Sequence, residues 1–374
     1  MAKPKILFTD GEGPIVFKDL AQDLVGRINF EHDGRVIPGK EFFAVLSFYD
    51  DYLAEVGTAG YQAGDTLALI GPHLLAHGIT DEDITEEAKD AKVCFGVEEY
   101  IAGLKRDGWE VRVISTAYSQ MWELIGNYLD IPMEHIACTR LDLKSLRNYF
   151  GSESFYRSIR NTEKQIISQM PQAKEAIAEV DRGKSVVEVL GNDGKFAPLR
   201  QILDQFYWQD LPSMDYQTLE AVRVMGGRRK IEAAQQFAQE LGVVLSDIAY
   251  VGDSITDDAL HTLLKQEEGL PIAVNGNRYA LMNARVAVAT KDMRALRPAL
   301  DVWEKDGFEG VSVFVQESQT AAHLLGKERI LQAVEENGRY HVIDPNDQEA
   351  FSKIVKIHGE FRRLVRGRAT ARLG

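Results

Sequence analysis

ILFTDGEG, residues 6–13, is the segment most informative about the fold, because an apolar run ends there in an acidic turn that contains two glycines. Residues 6–9 are typical of a strand buried on both faces of a parallel sheet. Asp10 and Glu12 follow that run directly. In open parallel sheets, ligands bind beyond the carboxyl ends of the strands. The segment therefore predicts a buried strand with a ligand-binding turn at its end.

Similar apolar runs recur along the chain, and helical patterns separate most of them. One such pattern places apolar residues at 231, 234, 237, 238 and 241 and stops at Gly242. Alternation of strands with helices predicts an α/β fold with a Rossmann-like parallel sheet. The further predicted strands are 111–115, 136–138, 248–251 and 272–274.

Two long segments interrupt this alternation. Both exceed the usual length of about 2–6 residues for a loop between strand and helix, and both contain helical patterns. We therefore expect two insertions into one sheet domain, with a C-terminal segment whose role is open. The predicted division is a core of 1–16, 95–145 and 220–290, a mainly helical cap at 17–94, a second helical insertion at 146–219, and the C-terminal segment 291–374.

The composition narrows the classes of function. The 374 residues include 57 acidic and 43 basic ones, which gives a net charge of −14 and argues against nucleic acid as a partner. No apolar run reaches about 18 residues, so no membrane span is expected. Two cysteines and the lack of an apolar signal region lead us to expect a cytoplasmic protein. The oligomeric state is not predicted.

The last residues depart from this acidity, because residues 353–374 hold seven basic residues and one acid, Glu360. We expect a solvated, frayed helix end. The alternative is contact with an acidic partner or with the acidic surface of this chain itself. The basic residues are Lys353, Lys356, Arg362, Arg363, Arg366, Arg368 and Arg372.

Polar residues follow three of the predicted strands and begin one predicted helix. If these strands are neighbours, several carboxylates meet in one crevice and need a cation between them. Oxygen ligands in small number favour Mg²⁺, which also binds substrate phosphate. A hydroxyl and a lysine would then hold the phosphoryl oxygens. The residues are Asp10 and Glu12 after the first strand, Ser115 and Thr116 at the second, Lys230 at the helix start, and Asp253 and Asp257 after the strand 248–251.

In this arrangement Asp10 would be a carboxylate nucleophile, and Glu12 would be a general acid and base. Four motifs resemble those of the haloacid dehalogenase superfamily and occur in that family's order. The resemblance covers the sheet domain only. The motifs are ILFTDGEG (6–13), VRVIST (111–116), the lysine of GGRRK (226–230) and YVGDSITDD (250–258).

The resemblance implies a Mg²⁺-dependent phosphatase that hydrolyses a small phosphorylated metabolite through an aspartyl-phosphate. It implies Asp10 as the nucleophile and Glu12 as the acid that protonates the leaving group and then activates water. The implied phosphate ligands are Ser115, with Thr116 as its alternative, and Lys230. The implied metal ligands are Asp10, the backbone carbonyl of Glu12, Asp253 and Asp257.

One departure concerns the usual Asp-x-Asp motif, which is Asp-x-Glu here. The extra methylene of glutamate moves the carboxyl group by about 1.5 Å. A misplacement of about 1 Å at a reacting centre can lower the rate about 100-fold. The enolase-phosphatase branch of the family is similar in using Asp-x-Glu-Gly. A narrower resemblance is to a methanogen group labelled energy-converting hydrogenase A subunit R. It is carried by FTDGEGP, YDDYLAEV (49–56), GYQAGDTL (60–67), CTRLDL (138–143) and GDSITD (252–257).

Two other classes of function stay open. The chain could be a non-hydrolytic regulatory or assembly protein that binds a phosphorylated ligand or a partner, as the hydrogenase-linked group suggests. It could also be a phosphotransferase, which shares the covalent step and returns the phosphoryl group to an acceptor.

Alternatives at single positions also stay open. Arg228 or Arg229 could replace Lys230, whereas Asp258 is expected to be a helix-start acid rather than a ligand. For four further residues we favour structural roles over metal binding or nucleophilic chemistry: His73, His77, Cys94 and Cys138. The cap aromatics are expected to form its core, and one or two, with Asp50 or Asp51, to face the substrate; these aromatics are Phe42, Phe43, Phe48, Tyr49, Tyr52 and Tyr61.

Overall fold

A computed structural model of the chain describes residues 3–182, 184–191, 194–324 and 338–370. Its strands are β1 (Ile6–Thr9), β2 (Asn29–His32), β3 (Arg35–Pro38), β4 (Glu110–Tyr118), β5 (Ile136–Thr139), β6 (Ile248–Gly252), β7 (Leu270–Val274), β8 (Val286–Ala289) and β9 (Arg339–Val342). Seven of them form one sheet in the order β5-β4-β1-β6-β7-β8-β9. All neighbours are parallel except β8 and β9, which are antiparallel. The expected α/β fold class is confirmed.

Helices cover both faces of this sheet. Successive side chains of a strand point to opposite faces, and β1 is buried along its whole length. Phe8 packs in one cluster with Phe237, while Leu7 belongs to the larger cluster on the other face. The helices next to these strands in the chain are α5 (Val97–Arg106), which precedes β4, α6 (Ser119–Tyr128), which follows it, α13 (Arg228–Leu241), which precedes β6, α14 (Asp258–Gln266), which follows it, and α15 (Arg278–Asn283), which follows β7.

The chain between β1 and β4 is mainly helical, as expected. Its helices before α5 are α1 (Leu20–Gly26), α2 (Gly39–Glu55), α3 (Thr66–Ala76) and α4 (Asp81–Lys89). It also contains the antiparallel hairpin β2–β3, which the sequence analysis did not predict. The aromatic side chains of α2 lie in the core of this region: Phe42, Phe43, Phe48 and Tyr49 are buried.

The second insertion lies between β5 and α13 and packs against the first. Glu163 joins them, because its Oε1 lies 2.7 Å from Nδ1 of His73 and its Oε2 lies 3.0 Å from Nε2 of His77. The two histidines therefore connect helices of the two insertions. The helices here are α7 (Leu143–Phe150), α8 (Glu153–Ser168), α9 (Met170–Asp181), α10 (Val186–Leu190), α11 (Ala197–Gln205) and α12 (Thr218–Ala221).

The C-terminal segment returns to the sheet. Helix α16 (Arg297–Leu324) follows β8, β9 adds the antiparallel edge, and helix α17 (Gln348–Thr370) packs back toward the end of β6. The buried His358 and Phe351 of α17 fix this return. Within the described ranges, no helix is long and apolar enough to cross a membrane.

Candidate functional site

The site lies where β1 and β6 end side by side. The register pairs Thr9 with Val251, and the amide of Asp10 donates to the carbonyl of Val251 at 2.7 Å. Asp10 and Asp253 therefore leave adjacent strand ends in the same direction. Each keeps only 2% of its surface exposed. The topology thus brings together two carboxylates that lie far apart in sequence.

Lys230 reaches this pair from the first turn of α13. Its Nζ lies 3.0 Å from Oδ1 of Asp10 and 2.6 Å from Oδ1 of Asp257. Arg229 instead pairs with Asp65 of the cap at 2.5 Å, and Arg228 is exposed. Of the three basic residues considered for this position, the structure therefore places Lys230 against Asp10. A fully buried lysine beside two carboxylates remains charged because they compensate its lost hydration.

Asp257 organises the loop after β6. Its Oδ1 accepts from Tyr250 at 2.5 Å, and its Oδ2 accepts from the amides of Asp253 and Ser254 at 2.9 and 3.0 Å. Burial alone would favour the neutral acid, but Lys230 and these hydrogen bonds lower the pKa of Asp257 to about 2. Asp257 therefore carries a permanent charge and fixes Asp253.

The acidic cluster fits a divalent cation. Carboxylate oxygens of Asp10, Asp253 and Asp257 lie within 4.8 Å of one another. Oδ1 of Asp253 is buried and has no hydrogen-bond partner among the described residues, whereas both oxygens of Asp257 are engaged. Hard oxygen donors of this kind suit Mg²⁺. Asp258 instead begins α14 and accepts from Nδ2 of Asn283 at 2.6 Å.

Both predicted hydroxyl residues lie near the nucleophile position. Ser115 is fully buried, and its Oγ would lie 2.7 Å from a Cβ added to Gly11, the residue after Asp10. Thr116 lines the adjacent cleft. The register of β4 against β5 shifts between Ser115 and Tyr118, so the strand is irregular at Ser115 and Thr116. Of the two, Thr116 lines the cleft, whereas the Oγ of Ser115 accepts from the amide of Ala117 at 3.2 Å beneath it.

Two acids of the first loop have raised pKa values. Burial, reinforced by Asp257 and opposed by Lys230, raises the pKa of Asp10 to about 8. Burial and the nearby Asp19 raise the pKa of Glu12 to about 8, although Oε1 of Glu12 accepts from the amide of Leu20 at 3.1 Å. Burial thus favours the protonated form of Glu12, and a cation bound beside Asp10 would favour the ionised form of Asp10.

The cap supplies the opposite wall of the cleft. Of the two neighbouring acids of α2, Asp50 and not Asp51 lines the cleft. Tyr61 donates a hydrogen bond to Asp50 at 2.7 Å. Burial raises the pKa of Asp50 to about 7, which the hydrogen bond from Tyr61 opposes. Among the cap aromatics, Phe43 faces the cleft. The other cap residues that line it are Asp19, Ser47, Gly64, Thr66 and Leu67.

The sequence analysis missed two cleft residues, Arg362 and Arg366 of α17. Nη1 of Arg362 donates to the carbonyl of Asp253 at 2.9 Å and also contacts Oδ2 of Asp253. Nη1 of Arg366 donates to the same Oδ2 at 2.9 Å. The expectation of a solvated helix end is therefore wrong for this part of the tail, and the alternative, contact with the acidic surface of this chain itself, is confirmed for these two residues. Its seven basic residues were the available signal; residues 371–374 lie outside the described ranges.

The two cysteines differ in their surroundings. Cys94 is buried, and its Sγ donates to the carbonyl of Gly13 at 3.2 Å, so it supports the first loop. Cys138 in β5 is partly buried. Burial raises the pKa of the Cys138 thiol to about 12, so the thiol is neutral at physiological pH.

Comparison with solved structures shows which fold the chain shares. It is similar to the gene product AF1437 from Archaeoglobus fulgidus, with a TM-score of 0.70 and 24% identity over 98% of each chain. A substrate-bound phosphoserine phosphatase matches with a TM-score of 0.45 and 15% identity, over 80% of this chain and 99% of that one. A had family hydrolase from Salmonella enterica serovar Typhi matches with a TM-score of 0.40 and 10% identity, over 74% and 64%.

No protein-family model and no curated protein matches the sequence. The structural similarity to the Archaeoglobus fulgidus protein extends over nearly the whole length of both chains. The chain therefore shares its overall fold with that protein.

Proposed function

We propose that this chain is a Mg²⁺-dependent phosphatase of the haloacid dehalogenase type, which hydrolyses a small phosphorylated metabolite through a phosphorylated Asp10. One observation carries the proposal. Asp10 and Asp253 lie at the ends of adjacent strands and line a cleft that cap residues also line, and Lys230 contacts Asp10 from the first turn of α13. The pKa values of the buried Asp10 and Glu12 are raised, and perturbed pKa values in a cleft are typical of catalytic sites.

The proposed chemistry uses these residues in order. A carboxylate oxygen of Asp10 attacks phosphorus, and the bond from phosphorus to the ester oxygen breaks. Glu12 gives its proton to the departing alkoxide, and the ionised Glu12 then takes a proton from a water molecule. That water attacks phosphorus, which releases inorganic phosphate and restores Asp10. Lys230 and the hydroxyls of Ser115 and Thr116 hold the phosphoryl oxygens.

The bound cation would be held by Asp10 and Asp253, with the backbone carbonyl of Glu12 and Asp257 as further predicted contributors. When bound, it neutralises charge on the phosphoryl oxygens and on the carboxylates. Two features of this chain support such binding: Oδ1 of Asp253 has no hydrogen-bond partner among the residues that the structure describes, and Asp257 fixes the loop through its hydrogen bonds.

A second candidate is a non-hydrolytic regulatory or assembly protein that binds a phosphorylated ligand. The observation that favours it is the pairing of Asp253 with Arg362 and Arg366, because these arginines engage a carboxylate that a phosphatase needs for its metal. The relation to the hydrogenase-linked methanogen group and the cytoplasmic location remain predictions.

A substrate panel with Mg²⁺ separates the two candidates. It contains sugar, amino-acid and nucleotide phosphates and one aryl phosphate, and released phosphate is measured. We expect turnover of at least one small metabolite, and a loss of about 1,000-fold or more in Asp10→Asn, since removal of a nucleophile leaves only the binding contributions. Asp258→Asn serves as the matched control and should keep parental turnover.

Turnover of Asp10→Asn at the parental rate would contradict the nucleophile assignment. No turnover of any compound, together with isolation of a stable partner complex, would favour the non-hydrolytic candidate. Circular dichroism of both variants shows whether a loss of turnover comes from unfolding.

A further inference from the structure

Helix α17 places two buried guanidinium groups in the wall of the cleft that holds Asp10. The side chains of Arg362 and Arg366 keep 2% and 6% of their surface exposed. Both line the same cleft as Asp10 and Glu12. Burying a charge is costly unless it is paired. The contacts of each arginine therefore show whether its charge is already compensated by the protein.

The two arginines differ in how many of their hydrogen-bond donors have partners in the protein. Arg362 binds both the carbonyl and Oδ2 of Asp253, so it anchors α17 to the loop after β6. Arg366 forms its ion pair, among the described residues, with the same Oδ2, which it must share with Arg362. Its Nε is buried and has no hydrogen-bond partner in that part of the chain. Arg366 thus lines the cleft and has one donor that no described residue uses.

We infer that Arg366 binds a second anionic group of the substrate, a carboxylate or a second phosphate, while the first phosphate reacts at Asp10. This inference rests on the proposed phosphatase function and narrows its substrate class. The planar fork of a guanidinium suits both anions, because two parallel N–H groups face two oxygens. Arg366 would then determine specificity rather than take part in bond breaking.

The acids of the cleft limit where this anion can bind. On the cap side, Asp50 lies away from any arginine of the cleft lining, whereas the charge of Arg366 also acts on Asp19. The guanidinium groups that line the cleft come from α17 alone among the described residues. A substrate with two anionic ends should therefore bind with its second end toward α17.

The size of the cleft limits the rest of the substrate. The cavity between its walls is small, about 70 Å³. A short compound therefore fits beside Asp10 better than a long chain does. The inferred substrate class is thus a short phosphorylated metabolite with a second anionic group.

Three compounds on one three-carbon skeleton test this inference: glycerol 3-phosphate, 3-phosphoglycerate and glycerol 1,3-bisphosphate. We expect the parent to favour the second or third compound over the first in kcat/KM. Arg366→Gln should reduce that preference by about 10- to 100-fold, mainly through KM, because a hydrogen bond to a charged group is lost. Arg366→Lys should restore part of it, and Arg363→Gln, an exposed change on the same helix, should leave it unchanged.

Calorimetric binding of the three compounds to Asp10→Asn separates this inference from the proposed function. A preference for a two-anion compound that depends on Arg366 supports the inference even if no compound is turned over. Turnover without such a preference would leave the phosphatase proposal intact and overturn the role of Arg366. Equal preference in the parent and in Arg366→Gln, with both proteins folded by circular dichroism, would also overturn it.

Discussion

At the scale of single residues, Gly13 shows how closely the two loops of the site approach each other. Its φ is +110°, in the left-handed region that favours glycine. A Cβ at this position would lie 2.4 Å from Oδ2 of Asp253. Any larger residue at position 13 must therefore displace the carboxylate that we assign to the metal.

We predict that Gly13→Ala lowers phosphatase activity by about 100-fold or more, because a displacement of about 1 Å at a reacting centre has that effect. Gly34→Ala is the matched control, since Gly34 also has a positive φ of +72° but has no atom within 4 Å of an added Cβ. The strain of the left-handed conformation should destabilise both variants by about 1–2 kcal/mol. Steady-state rates and urea unfolding measure the two effects; equal rates in both variants would contradict the argument.

At the scale of secondary-structure elements, α2 and the turn after it form the cap wall around Asp50. The side chain of Asp50 accepts from Tyr61 at 2.7 Å and from the amide of Gly64 at 3.3 Å, so it ties the turn to the helix. Burial raises the pKa of this carboxyl to about 7. The folded protein therefore binds a proton here that the unfolded chain releases near pH 4.

This difference makes stability depend on pH with a definite sign. The raised pKa of Asp50 contributes stability that is fully present below about pH 4 and is lost as the pH rises through about 7. We predict that the free energy of unfolding falls between pH 5 and pH 8 by a few kcal/mol less in Asp50→Asn than in the parent. Asp33→Asn is the control, because 83% of the side chain of Asp33 is exposed. Its free energy of unfolding should fall with pH as that of the parent does. Equal pH dependence of Asp50→Asn and the parent in urea unfolding would contradict this assignment.

The strands differ in how well sequence alone predicts them. β1, β4, β5, β6 and β7 were predicted, because strands buried on both faces appear as continuous apolar runs. The hairpin β2–β3 gave no such signal. Of its eight residues, only Phe30 is buried, and polar residues dominate the rest. A strand pair that is mostly exposed has no apolar pattern to detect.

At the scale of the whole molecule, the C-terminal segment completes the sheet and the cleft. The residues Asp10, Lys230 and Asp253 could be singled out from sequence because each belongs to a short local motif at a strand end or helix start. Arg366 could not, since its contact with Asp253 joins positions 113 residues apart. The sequence of the tail shows an excess of basic residues. Only the path of α17 back to the end of β6 shows that two of them contact Asp253.

We predict that Mg²⁺ stabilises the folded protein as a whole, because binding to the native state alone adds about 2.7 kcal/mol at 100 times the dissociation constant. Thermal unfolding in Mg²⁺ should therefore occur a few degrees above that in EDTA. Asp253→Asn should lose this difference, and Asp258→Asn should keep it. An identical midpoint with and without Mg²⁺ in the parent would contradict the metal assignment.

The proposed mechanism depends on an acyl phosphate that forms on the carboxyl group of Asp10, and chemical trapping detects this intermediate. The protein is incubated with Mg²⁺ and its best substrate from the panel, quenched, and reduced with borohydride, which converts an aspartyl-phosphate to homoserine. Peptide mass spectrometry should then find homoserine at position 10 in the parent and not in Asp10→Asn. Homoserine at Asp253 or Asp257 instead, or full turnover without any homoserine at position 10, would contradict the account.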